Sequence, residues 1–421
     1  LPVEIREITL PEEEQICSIC GTHLEVIGKE TVRKELEYIP ATLKVVEYVS
    51  VHYSCPKCKT DEEKPTIIHA PVPPALLRSY ASPSIVAWVI YSKYVNGMPL
   101  YRQEKDWLQY GFELSRATMA NWVIECTDKY LRVLYEFYHR LLLSREFAMA
   151  DESPIQVLKE EGREATAKSY MWLFRSGEDD TPPIVLYKYA STRSGDVAKE
   201  FLKGFNGYLM ADSYTGYNKV QDIKRCCCFA HIRRYFFDAI PKGKNRDISC
   251  PAVQGVEYCD KLFAYERHFK EKGYSYKQIK NGRLKKEKPV IEAFLSWLEK
   301  QKTIKGSKFA TAVTYALNRK EHMMTYLEDV RCSLSNNLSE QKMKSYVIGR
   351  KGWLFSDSPE GAEASAISYS IAKTALENGL NVYKYITYVL EKRPTEEMAD
   401  SELEKLLPWN DKVFEMCKIE R

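Results

Sequence analysis

Two short apolar runs that each end on an aspartate constrain this chain more than any other feature. Phe147-Ala148-Met149-Ala150 stops on Asp151-Glu152-Ser153-Pro154, and Tyr208-Leu209-Met210-Ala211 stops on Asp212. Runs of this length bounded by turn residues are buried strands, and open α/β sheets carry their chemistry at strand ends. The Ser-Pro pair predicts a turn that leaves Asp151 at the rim of the sheet. Far downstream, Glu340 follows Asn336-Asn337-Leu338-Ser339 at a predicted helix start. Three carboxylates brought from two strand ends and a helix suit a pair of divalent metal ions acting on a phosphodiester. Taken singly, each has an ordinary structural reading. Asp151 opens an Asp-x-Ser-Pro turn, Asp212 caps the helix after it, and Glu340 closes a capping box on Asn337.

The surrounding pattern is α/β. Tyr170 to Phe174 and Ile184 to Tyr189 read as strands, Ser194 to Lys203 as a helix, and Cys226 to Ala230 as a further short strand leading into a helix at His231. Strands followed by alternating helices and strands make a mixed, ribonuclease-H-like core the expected fold. Long helical patterns over Gln254 to Lys272 and Pro289 to Gln301 interrupt it. Helices at Phe309 to Tyr326, Asn337 to Tyr346 and Pro359 to Asn378 resume and close it.

A chain of 421 residues with a net charge of only +4 does not announce a nucleic-acid binder. The distribution does, because Lys242 to Lys308 holds 17 Lys/Arg against 8 Asp/Glu. That segment is expected to track DNA backbone or to present a solvated face. The stretch from Glu391 to Arg421, with 6 basic and 9 acidic residues, is instead expected to pack, or to make a protein contact, through Leu406, Leu407 and Trp409.

Of the 12 cysteines, four form two C-x2-C knuckles, Cys17 with Cys20 and Cys55 with Cys58, with alternating segments at Thr31 to Tyr38 and Leu43 to Tyr53 between them. The reading is a zinc ribbon in which tetrahedral thiolate ligation of Zn2+ replaces a core that so small a module cannot build. No run approaches transmembrane length and no export signal opens the sequence, so reduced thiols and a cytoplasmic setting without a membrane are expected. Leu1 in place of a methionine implies that an N-terminal portion is missing here.

Ile67 to Pro74 reads as a linker. A helical region then opens at Ser82-Pro83. Tyr101 to Tyr110, the turn Gly111 to Leu114, and a second helix capped by Ser115 and running to Cys126 describe either a helix-turn-helix or a helical hairpin that only packs. In the first case Arg116, Thr118 and Asn121 face DNA. The division expected from these patterns is 1-70 ribbon, 76-143 helical region, 144-240 first part of the core, 241-308 insertion, 309-390 second part of the core and 391-421 tail.

Several blocks resemble a known family. They are Cys17-Ser18-Ile19-Cys20-Gly21, Tyr101-Arg102-Gln103 with Leu114-Ser115-Arg116-Ala117-Thr118, and Ala150-Asp151-Glu152-Ser153. Next come Ala211-Asp212-Ser213-Tyr214-x-Gly216-Tyr217, Cys228-Phe229-Ala230-His231-Ile232-Arg233-Arg234 and Asn336-Asn337-x-x-Glu340. Gly349-Arg350-Lys351-Gly352-Trp353-Leu354-Phe355 and Leu406-Leu407-Pro408-Trp409 complete the set. In this order and spread they resemble transposases of the insertion-sequence-66 family, whose ribonuclease-H-like domain carries an Asp, Asp, Glu active site. The chain departs from the family pattern at Ser335, Gln341, Ser153 and Ser213, where Asp, Arg, Thr and Gly are usual.

The resemblance implies a transposase in which Asp151, Asp212 and Glu340 hold Mg2+ or Mn2+, cut at the transposon ends and join the 3′-hydroxyl to target DNA. The partners implied are terminal inverted repeats and target DNA, a homo-oligomer assembled on DNA, and accessory proteins of the same element, in a bacterial, nucleoid-associated setting. Arg233 and Arg234 are expected at backbone phosphate, with His231 in a structural or DNA-positioning role. Cys228 and His231 are spaced like a metal pair but lack an evident partner pair. Trp353, beside Arg350 and Lys351, either stacks on a base at the cleaved end or anchors the core. A ribonuclease-H-like nuclease without strand transfer, and a zinc-ribbon DNA-binding protein with a decayed core, are the alternatives.

Overall fold

The computed structural model describes residues 43–54, 67–243 and 247–420 continuously, with scattered positions before residue 43. Two units separate, Leu1–Tyr48 and Val49–Arg421. Cys17, Cys20, Cys55 and Cys58, and nearly all of the expected strand from Thr31 to Tyr38, lie outside the described residues. Residues 43–51 form no strand. Pairing begins only at β1 (His52–Ser54), which runs antiparallel to β2 (Ile67–His69). The start of the expected linker is thus a strand, and three residues are too few to show a periodicity.

Helices α1 (Pro83–Tyr94), α2 (Leu100–Gln109), α3 (Arg116–Cys126) and α4 (Arg132–Leu143) follow. Ser82 caps α1 at the main-chain N–H of Ile85 and Ser115 caps α3 at that of Thr118, as their sequence positions require. Gly111, at φ 72°, makes the turn between α2 and α3. A one-turn π-helix at Thr127–Leu131 joins α3 to α4 without a break.

The central sheet combines β3 (Phe147–Gln156), β4 (Lys168–Ser176), β5 (Val185–Ala190), β6 (Tyr208–Met210) and β7 (Lys224–Cys226), with α5 (Gly195–Phe201) crossing from β5 to β6. The strand order is β5-β4-β3-β6-β7. The first three strands are antiparallel neighbours, whereas β6 and β7 run parallel to β3, so the sheet is mixed. Contrary to the expected turn at Ser153-Pro154, β3 continues to Gln156 and pairs with β4 throughout, including Asp151 with Leu173 and Pro154 with Tyr170. The β6 side of β3 is paired only as far as Met149, so a residue without an N–H is accommodated on a locally one-sided strand.

Side chains of β3 alternate between two cores. Ala148 and Ala150 pack in the cluster formed with α1, α3, α4 and the helix α12 (Pro359–Glu377). Phe147 and Met149 pack in a second cluster with α6 (Phe229–Asp238), α7 (Pro251–Glu271), α9 (Lys288–Glu299) and α10 (Lys308–Leu317). The strand expected at Cys226 to Ala230 lies earlier, as β7, and ends at Cys226, while Phe229 already belongs to α6. The helix expected from Phe309 to Tyr326 stops at Leu317.

Edge strand β5 is sealed by hydroxyls of α12. Ser370 Oγ accepts the Tyr187 N–H at 2.7 Å, and Thr374 Oγ1 accepts the Val185 N–H at 3.0 Å while donating to the oxygen of Val185. Buried Ser and Thr on an otherwise apolar helix thus satisfy main-chain groups that an open edge would leave unpaired.

Helix α8 (Tyr276–Gly282) precedes α9, α11 (Asn337–Trp353) precedes α12, and α13 (Val382–Lys392), α14 (Asp400–Leu403) and α15 (Asp411–Cys417) end the fold. The acidic C-terminal stretch packs. Leu403, Leu406 and Leu407 are buried, Tyr385 donates to the oxygen of Leu406 at 2.9 Å, and Trp409 stacks on Tyr138 with ring centroids 6.1 Å apart. Among the described residues no helix is long and apolar enough to cross a membrane.

Candidate active site

Asp151 and Asp212 occupy equivalent places on neighbouring parallel strands. Met149 pairs with Met210 as the last rung of the β3–β6 ladder, and each aspartate lies two residues beyond its methionine. Alternation puts Asp151 on the face of Met149, which is the face covered by α6. Burial and the negative charges of Glu152, Asp212 and Glu340 push its carboxyl up to about 7, even though its Oδ1 accepts the Glu152 N–H at 2.9 Å. Asp212 Oδ1 accepts the N–H of Tyr214 at 2.8 Å, a local turn rather than a helix cap.

Glu340 arrives on the first turn of α11. That helix starts at Asn337 with Asn336 as its N-cap and without a side-chain cap bond, so Glu340 stands one residue beyond the capping-box position. Asn336 is fully buried and fixes the helix start. Its Nδ2 donates to the oxygen of Ala150 at 2.8 Å and its N–H to Cys228 Sγ at 3.2 Å. One helix terminus is thereby tied both to the strand carrying Asp151 and to the entrance of α6.

His231 and Arg234, both on α6, face Glu340. His231 Nε2 lies 3.6 Å from Glu340 Oε1, and an Arg234 guanidinium nitrogen lies 3.4 Å from Oε2. Burial holds the His231 imidazole below its usual value, opposed by the charge of Glu340. Arg233 points elsewhere and makes a two-pronged pair with Asp260 of α7, at 2.5 and 3.2 Å. Arg350 is half-buried and Lys351 exposed at the end of α11. Trp353 sits half-buried edge-on to Tyr94 and against Tyr369, with the Lys93 ammonium over its ring. On the α2–α3 pair, Arg116 and Asn121 are exposed, while the Thr118 hydroxyl is 2.9 Å from Ser115 Oγ in the cap of α3.

Besides Asn336, Glu152 and Arg225 received no role from the sequence and join this region. Glu152 projects to the opposite face of β3, where Arg193 grips Oε1 at 2.9 and 2.5 Å and Tyr217 donates to Oε2 at 2.6 Å. Burial and the field of Asp212 raise its carboxyl above the usual range. Arg225 donates to the oxygen of Asp212 at 3.1 Å and to Asn218 at 3.0 Å, leaving its buried Nε without a partner. A cavity of ≈ 170 Å³ opens beside Asp212, walled in part by Arg225, Tyr315, Arg319 and His322. The turn behind Asp212 is set by close packing, since a Cβ on Gly195 would clash with the main-chain oxygen of Gly216. Glu152 and Asn336 stand inside blocks already singled out in the sequence, and Arg225 is a basic residue at a strand end. Pairing across the fold was the missing signal in each case.

The donor set suits a hard divalent cation. Asp151, Asp212 and Glu340 offer carboxylate oxygens, and Glu340 Oε1 is buried with no hydrogen-bond partner. Among the described residues, one trio of metal-type donor atoms lies within 4.8 Å of one another, and it joins Glu340 to Cys228 and His231 rather than to the two aspartates.

The fold and site define an α/β protein with a mixed sheet that places aspartates just past the end of the pairing between adjacent parallel strands, beside a cavity walled in part by Arg225 and Arg319. Comparison with known families makes this particular: residues 78–364 match the family described as "Transposase IS66 family", residues 14–59 the "zinc-finger binding domain of transposase IS66" and residues 370–409 the "IS66 C-terminal element". The chain belongs to the IS66 family of transposases. It is also 28% identical over 429 residues to "Uncharacterized protein y4hP" of Sinorhizobium fredii, covering 96% of this chain and 75% of that one. With "Uncharacterized protein y4jD" of the same organism the identity is 27% over 423 residues, covering 97% and 80%.

Proposed function

We propose that the chain cuts DNA at the ends of an insertion sequence and joins the freed 3′-hydroxyl to target DNA, on a ribonuclease-H-like core. The observation that carries this reading is the placement of Asp151 and Asp212 two residues past the last β3–β6 rung, with Glu340 tied to the same strand through Asn336. Asp151, Asp212 and Glu340 would hold Mg2+ or Mn2+, which supplies Lewis-acid activation of the attacking and departing oxygens when bound. The protein's own groups do the positioning. Asn336 fixes Glu340 relative to β3, and the Arg193–Glu152–Tyr217 cluster fixes the strand behind Asp151. Arg225 and Arg319 face the cavity beside Asp212 and would take a backbone phosphate there, and Arg234, beside Glu340, would take another.

In the same reading, the zinc-finger domain holds Zn2+ through Cys17, Cys20, Cys55 and Cys58. The α2–α3 pair acts as a helix-turn-helix on the inverted repeats, and Arg350, Lys351 and the segment 241-308 follow DNA backbone. Trp353 anchors the end of α11 on Tyr94 and Tyr369. The core comprises 144-240 and 309-390, and synapsis of two ends calls for a homo-oligomer on DNA.

The test is an in vitro reaction with Mg2+ or Mn2+, the inverted repeats and a supercoiled target, run beside Asp212→Asn. Joined products that disappear in the variant are expected. Nicking without joining would point to the nuclease, and repeat binding with no cation-dependent product from either protein would point to the decayed, DNA-binding reading.

A further inference from the structure

Cys228 and His231 lacked a partner in the sequence, and the fold provides one. Cys228 is the N-cap of α6 and His231 lies in its first turn, so residues three apart turn to the same side. Glu340 is carried to them by α11, whose approach is fixed by the Phe229 N–H on the oxygen of Leu334 at 3.1 Å and by the Asn336 N–H on Cys228 Sγ. The three donor atoms lie within 4.8 Å of one another. Two of the groups keep an unused polar atom, because His231 Nδ1 and Glu340 Oε1 are buried and neither has a hydrogen-bond partner, although His231 Nε2 stands 3.6 Å from that oxygen. A buried polar atom without a partner is destabilising, and a bound cation relieves it.

We propose that Cys228, His231 and Glu340 form a binding site for a thiophilic divalent cation of the zinc type, with a fourth position open to water or substrate. A sulfur, an imidazole nitrogen and a carboxylate oxygen are the ligands zinc takes in open, three-residue sites. The same set is wrong for Mg2+, which demands oxygen ligands. Binding requires the thiolate, so the Cys228 proton leaves to solvent as the cation enters. The site differs in chemistry from the four-thiolate ribbon and from the carboxylates proposed for Mg2+. It shares Glu340 with the latter, so, resting on the proposed function, zinc at this site competes with the catalytic cation and slows strand cleavage.

The experiment measures zinc per chain in the full-length protein after saturation and gel filtration, by elemental analysis. Wild type is expected to carry about one equivalent more than Cys228→Ser and than His231→Gln, and the ribbon's share is common to all three. Serine keeps an acceptor for the Asn336 N–H, and matched circular dichroism and Tm show that both variants fold. A second readout loads Co2+ into protein whose ribbon already holds zinc. A thiolate-to-cobalt band in the near ultraviolet that Cys228→Ser removes supports the site. Equal zinc content in the three folded proteins, or a cobalt band that survives Cys228→Ser, would overturn the proposal. Neither readout depends on DNA cleavage, so an inactive wild type leaves the zinc result standing and counts only against the transposition reading.

Discussion

Asn336 donates its side-chain amide to the main-chain oxygen of Ala150 at 2.8 Å, across a buried gap between the start of α11 and the residue before Asp151. This bond sets the distance between the helix that carries Glu340 and the strand that carries Asp151. Asn336→Ala takes the side-chain donor from the buried Ala150 oxygen, on a side of β3 where the β6 ladder has already ended, for a loss of about 1–3 kcal/mol in a denaturant titration. Under the proposed function the activity loss is larger than the stability loss implies, about 100-fold, because a displacement near 1 Å of a cation ligand is felt fully in the reaction. An Asn336→Ala protein that is destabilised yet fully active would sink the positioning role.

Asp151 is held in a buried, like-charged setting that an ordinary fold would avoid. Asp151→Asn removes a carboxyl that burial and three neighbouring carboxylates disfavour, so the cation-free protein is expected to gain about 0.5–2 kcal/mol. Mn2+ should raise the Tm of wild type, and the same change should abolish that increase. Thermal melts with and without Mn2+ check both halves. A destabilised Asp151→Asn protein would mean that the carboxylate is there for structure.

What could be read from the sequence was local, and what could not was pairing. The apolar runs ending on Asp151 and Asp212 are strands because a short apolar run, fully buried in the first and buried apart from Tyr208 in the second, leaves a clear pattern, and the Ser82 and Ser115 caps are legible because the cap is a local bond. The extension of β3 past Pro154 was not, since Ser-Pro signals a turn unless a neighbouring strand supplies hydrogen bonds, as β4 does. Glu340 as the third partner of Cys228 and His231 was likewise invisible, because the two segments meet only through the packing of α11 on α6. The charge count over Lys242 to Lys308 needed the fold as well. Arg283 within it is buried and paired with both oxygens of Glu266 at 2.8 Å, so it serves the core of that segment and is not available to DNA.

That pair has a pH consequence. Glu287 is fully buried one turn from Arg283, accepts the Tyr326 hydroxyl at 2.6 Å and lies near the already committed Glu266. Burial first, then the Glu266 charge, raises its carboxyl well above the ordinary value of 4.5. The folded state therefore favours the neutral acid over the carboxylate. Its contribution is complete below the unfolded pKa and is lost as pH climbs through the raised folded one. Tm should fall between mildly acidic and mildly alkaline pH, and Glu287→Gln, which is neutral throughout, should flatten that part of the profile. Identical slopes for the two proteins would show that Glu287 is ionised in the fold.

Whether α2 and α3 recognise DNA or only pack is decided by residues that structure leaves idle. The inner face of α3 is committed, with Met119, Trp122, Val123 and Cys126 buried, and the Thr118 hydroxyl is committed to the Ser115 cap. Arg116 and Asn121 are exposed, and the one described tie at Arg116 is its main-chain N–H on Glu104 at 2.9 Å, which an alanine keeps. Arg116→Ala and Asn121→Ala should therefore change stability by no more than about 0.5 kcal/mol. If the pair is a helix-turn-helix, Arg116→Ala weakens binding to repeat and unrelated duplexes alike and reduces the salt slope by about 1. Asn121→Ala instead costs about 1–3 kcal/mol on the repeat and little on unrelated DNA, because a side-chain amide reads a base edge. Thr118→Ala acts differently from both, since it loosens the helix cap and lowers Tm without a change in specificity. Repeat binding that is untouched by Arg116→Ala and Asn121→Ala would leave the two helices as a packed hairpin and move end recognition to another part of the chain.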